Sequence, residues 1–370
     1  MNTNNSFNLP FYVKTTILLI GIFVFTSMLY IAQDIIVPLI FSVMIAVLLY
    51  PIVNFFVRIK MNRVVAIIFT LFLTILVTAT LAALIFRQAS IFIESWPIMV
   101  EKFSVTINEF THWASRYFDL NHWKVNRWIT NAKTESLTMS GAEVGETMFV
   151  VGNGLMVMLL VPVYVFLLLY YNKLLIEFIH RVFVSSDQNN ISKIISETKT
   201  VIQRYLAGLV IEAIIVAILN TAALFALGIE YAILLGILGA LLNVIPYIGG
   251  LVAVALPMAI ALATKSTGMY ALYVLGVYYI IQLIDNNLIV PLVVSSKVRI
   301  NALFAIIVVF VGNALWGISG MFLSIPLLAI IKVIFDHIEP LKPWGFLLGD
   351  TIPTTSKITP IIKKIKSKIS

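Results

Sequence analysis

The chain contains no cysteine, which excludes disulfide bridges, thiolate metal sites and cysteine nucleophiles. Charged residues are also scarce: they make up 11% of the 370 residues, whereas about 25% is usual in soluble proteins. Hydrophobic residues reach 61%. Because so few residues are charged and so many are hydrophobic, most of the chain is expected to lie in the lipid bilayer. We predict an all-α polytopic membrane protein.

Catalytic motifs are absent as well. The sequence has no H-E-x-x-H zinc motif, no G-x-S-x-G nucleophile elbow and no P-loop. All four histidines lie outside the apolar runs, so an intramembrane protease would lack a base or zinc ligands at membrane depth. We therefore expect no enzyme activity, no cofactor and no metal site.

Apolar runs of about 20 residues cross a bilayer core of about 30 Å. Six runs of this kind are predicted as full spans: 15–32, 35–57, 64–86, 148–171, 205–229 and 269–294. Residues 87–147 form a polar insert with six basic and seven acidic side chains. An apolar stripe from Trp96 to Tyr117 predicts an amphipathic helix there. The insert has three interpretations: it lies on the membrane surface, covers the spans or packs against a neighbouring subunit.

Basic residues predict the orientation of the chain. They are in excess at 58–63, at 173–204 and after 357, and the positive-inside rule places these segments in the cytoplasm. Both termini are therefore expected inside and the 87–147 insert outside. The net charge is +8, and the basic residues lie beside apolar spans. This position favours binding to anionic lipids over binding to nucleic acid. The lysine-rich tail fits a basic amphipathic helix or a disordered segment equally well.

The motif "NVIPYIGG" at 243–250 breaks an apolar region into two short arms, 231–245 and 251–263. At helical rise neither arm comfortably crosses about 30 Å. Pro246 lacks an N–H, and a glycine pair follows it, which suits a tight turn buried in protein. This segment is predicted to be a re-entrant hairpin.

A second break has the same pattern. In "GNALWGISG" at 312–320, Asn313 precedes Gly320 by the spacing that separates asparagine from glycine in the first break. Each break follows a long apolar span, so 204–264 and 269–337 are predicted as two span-plus-hairpin repeats of opposite orientation, as in secondary transporters. The alternative is that the breaks are ordinary loops, which gives eight or ten full spans.

Asp285 is an ionisable residue inside an apolar span, which makes it a functional-site hypothesis. It is interpreted as a solute, proton or Na⁺ ligand, or as an interfacial residue bonded to hairpin backbone. Glu212 has the same two interpretations, and Asn220 is interpreted as an interhelical contact. The candidate binding residues are Glu212, Asn243, Pro246, Tyr247, Gly249, Gly250, Gln282, Asp285, Asn286, Asn287, Asn313, Gly317 and Gly320.

The predicted organisation has six parts: a three-span region (1–86), the insert (87–147), a fourth span with a cytoplasmic amphipathic segment (148–203), the two repeats (204–264 and 269–337) and a basic tail (338–370).

Three motifs together carry a family resemblance. The Pro-Tyr-Ile-Gly break at 246–249, the acidic residue shortly before Val-Pro at 290–291, and the Gly-to-Pro run at 317–326 resemble the autoinducer-2 exporter family of bacterial membrane transporters. The resemblance extends from end to end. It implies a homo-oligomeric plasma-membrane transporter that exports a small hydrophilic solute, such as the autoinducer-2 signal, by alternating access.

Two other functions stay open at this point. Some members of the family are thought to exchange Na⁺ for H⁺, so a cation/proton antiporter is the first alternative. The second, from another class, is a non-transporting membrane scaffold whose insert binds partner proteins.

Overall fold

A computed structural model describes residues 10–118, 160–183, 188–245, 249–265, 267–294 and 300–350. The helices, in chain order, are α1 (Phe11–Ile31), α2 (Gln33–Arg58), α3 (Arg63–Phe118), α4 (Leu160–Tyr170), α5 (Asn172–Val182), α6 (Gln188–Ala226), α7 (Ala232–Asn243), α8 (Gly249–Thr264), α9 (Met269–Ile284), a π-helix (Asp285–Val294), α10 (Ala302–His337), a 3₁₀ turn (Glu339–Leu341) and α11 (Lys342–Leu348).

The prediction of an all-α polytopic membrane protein is confirmed. Six helical segments are long and apolar enough to cross a bilayer: α1, α2, the first part of α3, α6, α9 with its π-helix, and α10. The pair α4 and α5, bent by 66°, adds a seventh if it is counted as one span. Large apolar side chains are exposed along most of these helices, as expected of lipid-facing surfaces.

Several boundaries differ from the sequence prediction. Helix α3 runs without a break for 56 residues, so the amphipathic stripe that follows the third span extends that span's own helix. Helix α6 begins at Gln188, well before the predicted fifth span, because residues 188–204 contain no proline or glycine to stop it. The predicted segments 119–147 and 148–159 and the tail 351–370 lie outside the described residues.

Helix α6 packs closely against α7. A Cβ added to Gly236 on α7 would lie 2.1 Å from Thr221 Oγ1 and 2.7 Å from the Thr221 amide nitrogen on α6. Only a residue without a side chain permits this approach. The contact places the face of α6 that carries Asn220 and Thr221 against α7.

The first hairpin consists of α7 and α8. The two arms have 12 and 16 residues, or about 18 and 24 Å at helical rise, so each is shorter than the bilayer core. They meet where a Cβ on Gly239 would lie 3.7 Å from the Cβ of Ala253. The arms agree with the predicted hairpin, and its tip at 246–248 lies outside the described residues.

The second hairpin is α10, whose chain reverses inside the apolar run. Trp316 and Gly317 have non-helical dihedral angles, with Gly317 at φ +60° and ψ −140°. Ser324 Oγ donates a hydrogen bond of 2.9 Å to the carbonyl oxygen of Val308. In a straight helix these two residues would be about 24 Å apart. The predicted break at 312–320 is therefore a turn between two antiparallel arms.

The base of the second hairpin is closed by backbone hydrogen bonding. Ile300 forms an antiparallel bridge with Gly349, and the Asn301 N–H donates to the Leu348 carbonyl at 2.9 Å. A straight helix of 36 residues would separate its ends by about 54 Å, whereas residues 338–348 extend at most about 36 Å. Only a chain that doubles back can form this bridge.

Candidate functional site

A cavity of about 640 Å³ lies between α6, the first hairpin, α9 and the start of the π-helix, with Ile325 of the second hairpin on its wall. We call it the Asp285 cavity. Its volume is within the range of small-molecule sites, about 300–1,000 Å³. Its polar lining consists of Glu212, Asn220, Asn243, Tyr278, Tyr279, Gln282, Asp285 and Asn286.

Helical spacing brings these polar groups to one place. On α6, Glu212 and Asn220 lie two turns apart with Val216 between them, so all three share a face. Tyr278 and Asp285 are likewise two turns apart along α9 and the π-helix. The cavity is therefore the meeting point of polar faces on otherwise apolar helices.

Asp285 is held by the first hairpin. Its Oδ2 accepts a hydrogen bond of 2.9 Å from Asn243 Nδ2, at the end of α7. The residue is only 2% exposed, and among the described residues no donor lies within hydrogen-bond distance of its Oδ1. A buried carboxylate oxygen without a donor is costly, so this atom would gain from a donor or a cation.

Gly250, from the first break, makes room for a side chain of the next span. A Cβ at Gly250 would lie 2.7 Å from Gln282 Oε1 and 3.5 Å from Asn243 Oδ1. Gln282 Nε2 in turn donates to Asn286 Oδ1 at 3.4 Å. The start of α8 is thus in contact with the polar face of α9.

Glu212 is the second carboxylate of the cavity, and it is buried on α6. In the part of the chain that the structure describes, no lysine, arginine or histidine lines the cavity. Two buried carboxylates without a basic partner favour ligands that bring positive charge or hydrogen-bond donors.

Sequence reasoning missed Tyr278 and assigned Asn220 to helix packing, yet both line the cavity. A Cβ on Gly239 would lie 3.2 Å from Asn220 Nδ2 and 3.5 Å from the Tyr278 hydroxyl. Neither Asn220 Oδ1 nor the Tyr278 hydroxyl has a hydrogen-bond partner among the described residues, and both are buried. Asn220 lies two helical turns from Glu212, and Tyr278 lies two turns from Asp285. This spacing is the sequence pattern that could have identified them.

Other predicted site residues lie elsewhere. The described lining of the Asp285 cavity does not include Gly249, Asn287, Asn313, Gly317 or Gly320. Asn287 is exposed and donates to the Leu283 carbonyl of its own helix at 2.8 Å. Pro246 and Tyr247 lie outside the described residues.

The turn of the second hairpin borders another cavity, of about 380 Å³, which it shares with α2 and α4. Trp316 lines this space, and its indole N–H donates to the Leu29 carbonyl at the end of α1 at 3.1 Å. Phe322 of the returning arm stacks on Phe41 of α2, with ring centroids 5.6 Å apart. The turn is therefore fixed to the N-terminal helices and is separate from Asp285.

Comparison with known proteins identifies relatives over most of the chain. A family model described as AI-2E family transporter matches residues 17–339. YueF of Bacillus subtilis (strain 168) is 26% identical over 343 residues, which cover 86% of this chain and 90% of YueF. The AI-2 transport protein TqsA of Escherichia coli (strain K12) is 32% identical over 139 residues, which cover 37% of this chain and 40% of TqsA.

Proposed function

The chain belongs to the AI-2E transporter family, and we propose that it is a secondary transporter that exports a small hydrophilic solute by alternating access through the Asp285 cavity. We place it in the bacterial plasma membrane with both termini in the cytoplasm, following the distribution of basic residues.

The observation that carries the proposal is a cavity lined by buried polar side chains, among them Glu212, Asn220 and Asp285, inside a protein whose outer surface is apolar. One wall is the first hairpin, whose arms are each shorter than a bilayer. Interrupted helices of this kind form the substrate sites of many secondary transporters, because their helix ends and unwound backbone can bind the substrate or coupling ion.

Autoinducer-2 is the first solute to test, because the relative TqsA is named an AI-2 transport protein. The cavity offers amide, phenol and carboxylate groups, which hydrogen-bond to hydroxyl groups, and its volume of about 640 Å³ exceeds that of a small sugar-sized molecule.

The direct test is flux through purified protein in liposomes. Wild-type protein is expected to move labelled autoinducer-2 well above the rate of empty liposomes. Asp285→Asn is expected to lower the initial rate roughly tenfold or more, as loss of a buried charged contact implies. Leu283→Ala is the control, because Leu283 is exposed on the same helix and does not line the cavity. Equal rates in protein-containing and empty liposomes would refute autoinducer-2 as the solute.

A second candidate is exchange of a monovalent cation for protons. The pair of buried carboxylates, Glu212 and Asp285, supports it, since the described lining contains no base to neutralise them. Everted vesicles with a pH-sensitive dye test this function: a Na⁺-dependent signal that disappears in Asp285→Asn favours it. Absence of any Na⁺-dependent signal, with autoinducer-2 flux retained, favours export without antiport.

We also propose that the protein is a homo-oligomer. None of the residues of α1 is buried within the chain, which leaves an apolar helix free for lipid or for a second copy. Mass measurement of the detergent-solubilised protein tests this, and a monomer mass would contradict it.

A further inference from the structure

We infer that the Asp285 cavity binds two ligands at the same time, at separate ends. The acid end, formed by Glu212 and Asp285, takes a positive charge, either H⁺ or Na⁺. The amide–phenol end, formed by Asn220 and Tyr278, takes a neutral hydrogen-bonding group of the solute. This inference rests on the proposed transport function and specifies how its coupling ion and solute share one cavity.

Two independent helices give the same separation between the ends. Glu212 and Asn220 lie two turns apart on α6, which is about 12 Å at helical rise. Tyr278 and Asp285 lie about 10 Å apart along α9. Both axial distances exceed the width of a single sugar ring.

Apolar side chains separate the two ends. Val216 and Ile281 line the cavity at intermediate positions on α6 and α9, and both are buried. Val216 packs with Ala240 and Ile289, so it belongs to a fixed core cluster. Within the described residues, no side-chain hydrogen bond connects the groups of the acid end to Asn220 or Tyr278.

The acid end offers oxygen ligands and negative charge. Asn243 occupies Oδ2 of Asp285, while Oδ1 has no donor among the described residues. The titratable side chains around the cavity are Glu212, Tyr278, Tyr279 and Asp285, and basic groups are absent from its described lining. A carboxylate in this setting gains most from binding a proton or a monovalent cation, since hard cations prefer oxygen ligands.

The amide–phenol end has hydrogen-bonding capacity without charge. Asn220 and Tyr278 each hold an atom without a partner among the described residues, and both side chains are at least nine-tenths buried. Gly239 allows the backbone of α7 to lie close to both groups, because a Cβ there would lie 3.2 Å from Asn220 Nδ2. An amide and a phenol both donate and accept, which matches the hydroxyl or carbonyl groups of a neutral solute.

The absence of cysteine allows a direct test by thiol protection. Ala253→Cys introduces one thiol beside the amide–phenol end, and Asn286→Cys one at the acid end. At about ten times its Kd, autoinducer-2 is expected to slow labelling of Ala253→Cys roughly tenfold and leave Asn286→Cys unchanged. Na⁺ at constant pH is expected to slow labelling of Asn286→Cys and leave Ala253→Cys unchanged, with pH held fixed because acid slows labelling of every thiol. Leu283→Cys, which faces away from the cavity, is the unprotected control.

Thermal stabilisation provides a second measurement that does not need a reactive thiol. In the wild-type protein the Tm shifts caused by saturating Na⁺ and saturating autoinducer-2 are expected to add. Asn220→Ala is expected to lose the autoinducer-2 shift and keep the Na⁺ shift, and Asp285→Asn the opposite. A response to pH at constant choline, with none to Na⁺, identifies the proton as the acid-end ligand.

Competition between the two ligands, or protection of both thiols by either one, would overturn the two-end arrangement while transport persists. Absence of any response to Na⁺ or pH would overturn the acid end. If wild-type protein does not move autoinducer-2, the proposed solute fails instead. In that case the Na⁺ measurement still tests the arrangement, because equal protection of Ala253→Cys and Asn286→Cys by Na⁺ rules out separate ends.

Discussion

Asn243 and Asp285 join two elements that are far apart in sequence: the end of the first hairpin's leading arm donates a 2.9 Å hydrogen bond to the carboxylate that begins the π-helix. The bond links a short, re-entrant element to a long span. Movement of the hairpin away from α9 therefore releases a second oxygen of Asp285.

Asn243→Ala is expected to impair transport without unfolding the protein. It removes the donor from a buried charged acceptor, which costs about 1.5–3 kcal/mol, or roughly tenfold or more in initial rate if the bond acts in the transport cycle. Flux in liposomes measures the effect. Asn287→Ala is the matched control, because Asn287 is exposed and bonds within its own helix. Equal losses in both variants would contradict a specific role for Asn243.

Gly236→Ala is expected to destabilise the protein by about 1–3 kcal/mol, the usual cost of overpacking. The new Cβ would lie 2.1 Å from Thr221 Oγ1 and 2.7 Å from backbone nitrogen, so α7 must move away from α6. Thermal unfolding in detergent measures the change. Gly276→Ala has no neighbour within 4 Å of its new Cβ and is expected to leave the Tm unchanged or slightly raised.

Gly317→Ala tests conformational strain in isolation. No atom lies within 4 Å of the added Cβ, so any loss comes from φ +60° and ψ −140°, a region that L-residues avoid. We expect about 1–3 kcal/mol of destabilisation in the same unfolding assay. Gly21→Ala, also without neighbours but inside the regular helix α1, is the control. A neutral Gly317→Ala would mean that the turn adopts another geometry.

Trp316→Phe is expected to loosen the turn of the second hairpin. The substitution keeps an aromatic ring and removes the indole N–H that donates to the Leu29 carbonyl, a bond worth about 0.5–1.5 kcal/mol. Faster hydrogen exchange at 312–320 is the expected readout. Trp344→Phe, at an exposed tryptophan on α11, is the control and is expected to leave hydrogen exchange at 312–320 unchanged.

The sequence was sufficient to predict the helical membrane class, both breaks and a charged residue, Asp285, inside an apolar span. Those features depend on local chemistry: long apolar runs, short arms around proline and glycine, and a charge at membrane depth. The position of Tyr278 near Asn220 does not follow from spacing within either helix, because it depends on how α6 and α9 pack on either side of Gly239. An asparagine or tyrosine in a span looks the same whether it faces lipid, a helix or a cavity.

The extent of the long helices was missed for a related reason. Hydropathy marks where a helix leaves the apolar layer, whereas α3 and α6 continue past that point. Residues 188–204 of α6 contain no proline or glycine, and α3 remains helical past Pro97. Conversely, α10 has the length and hydropathy of one crossing, and its reversal is shown by contacts such as the hydrogen bond from Ser324 to Val308.

The backbone bridge between Ile300 and Gly349 has a mechanical consequence. Because the chain before α10 and the chain after α11 are joined by backbone hydrogen bonding at the foot of the second hairpin, sliding of one arm past the other would have to break these bonds. Its far end is held by the indole bond to Leu29, worth about 0.5–1.5 kcal/mol. The second hairpin is thus anchored at both its foot and its turn, in contrast to the first hairpin, whose leading arm is linked to Asp285.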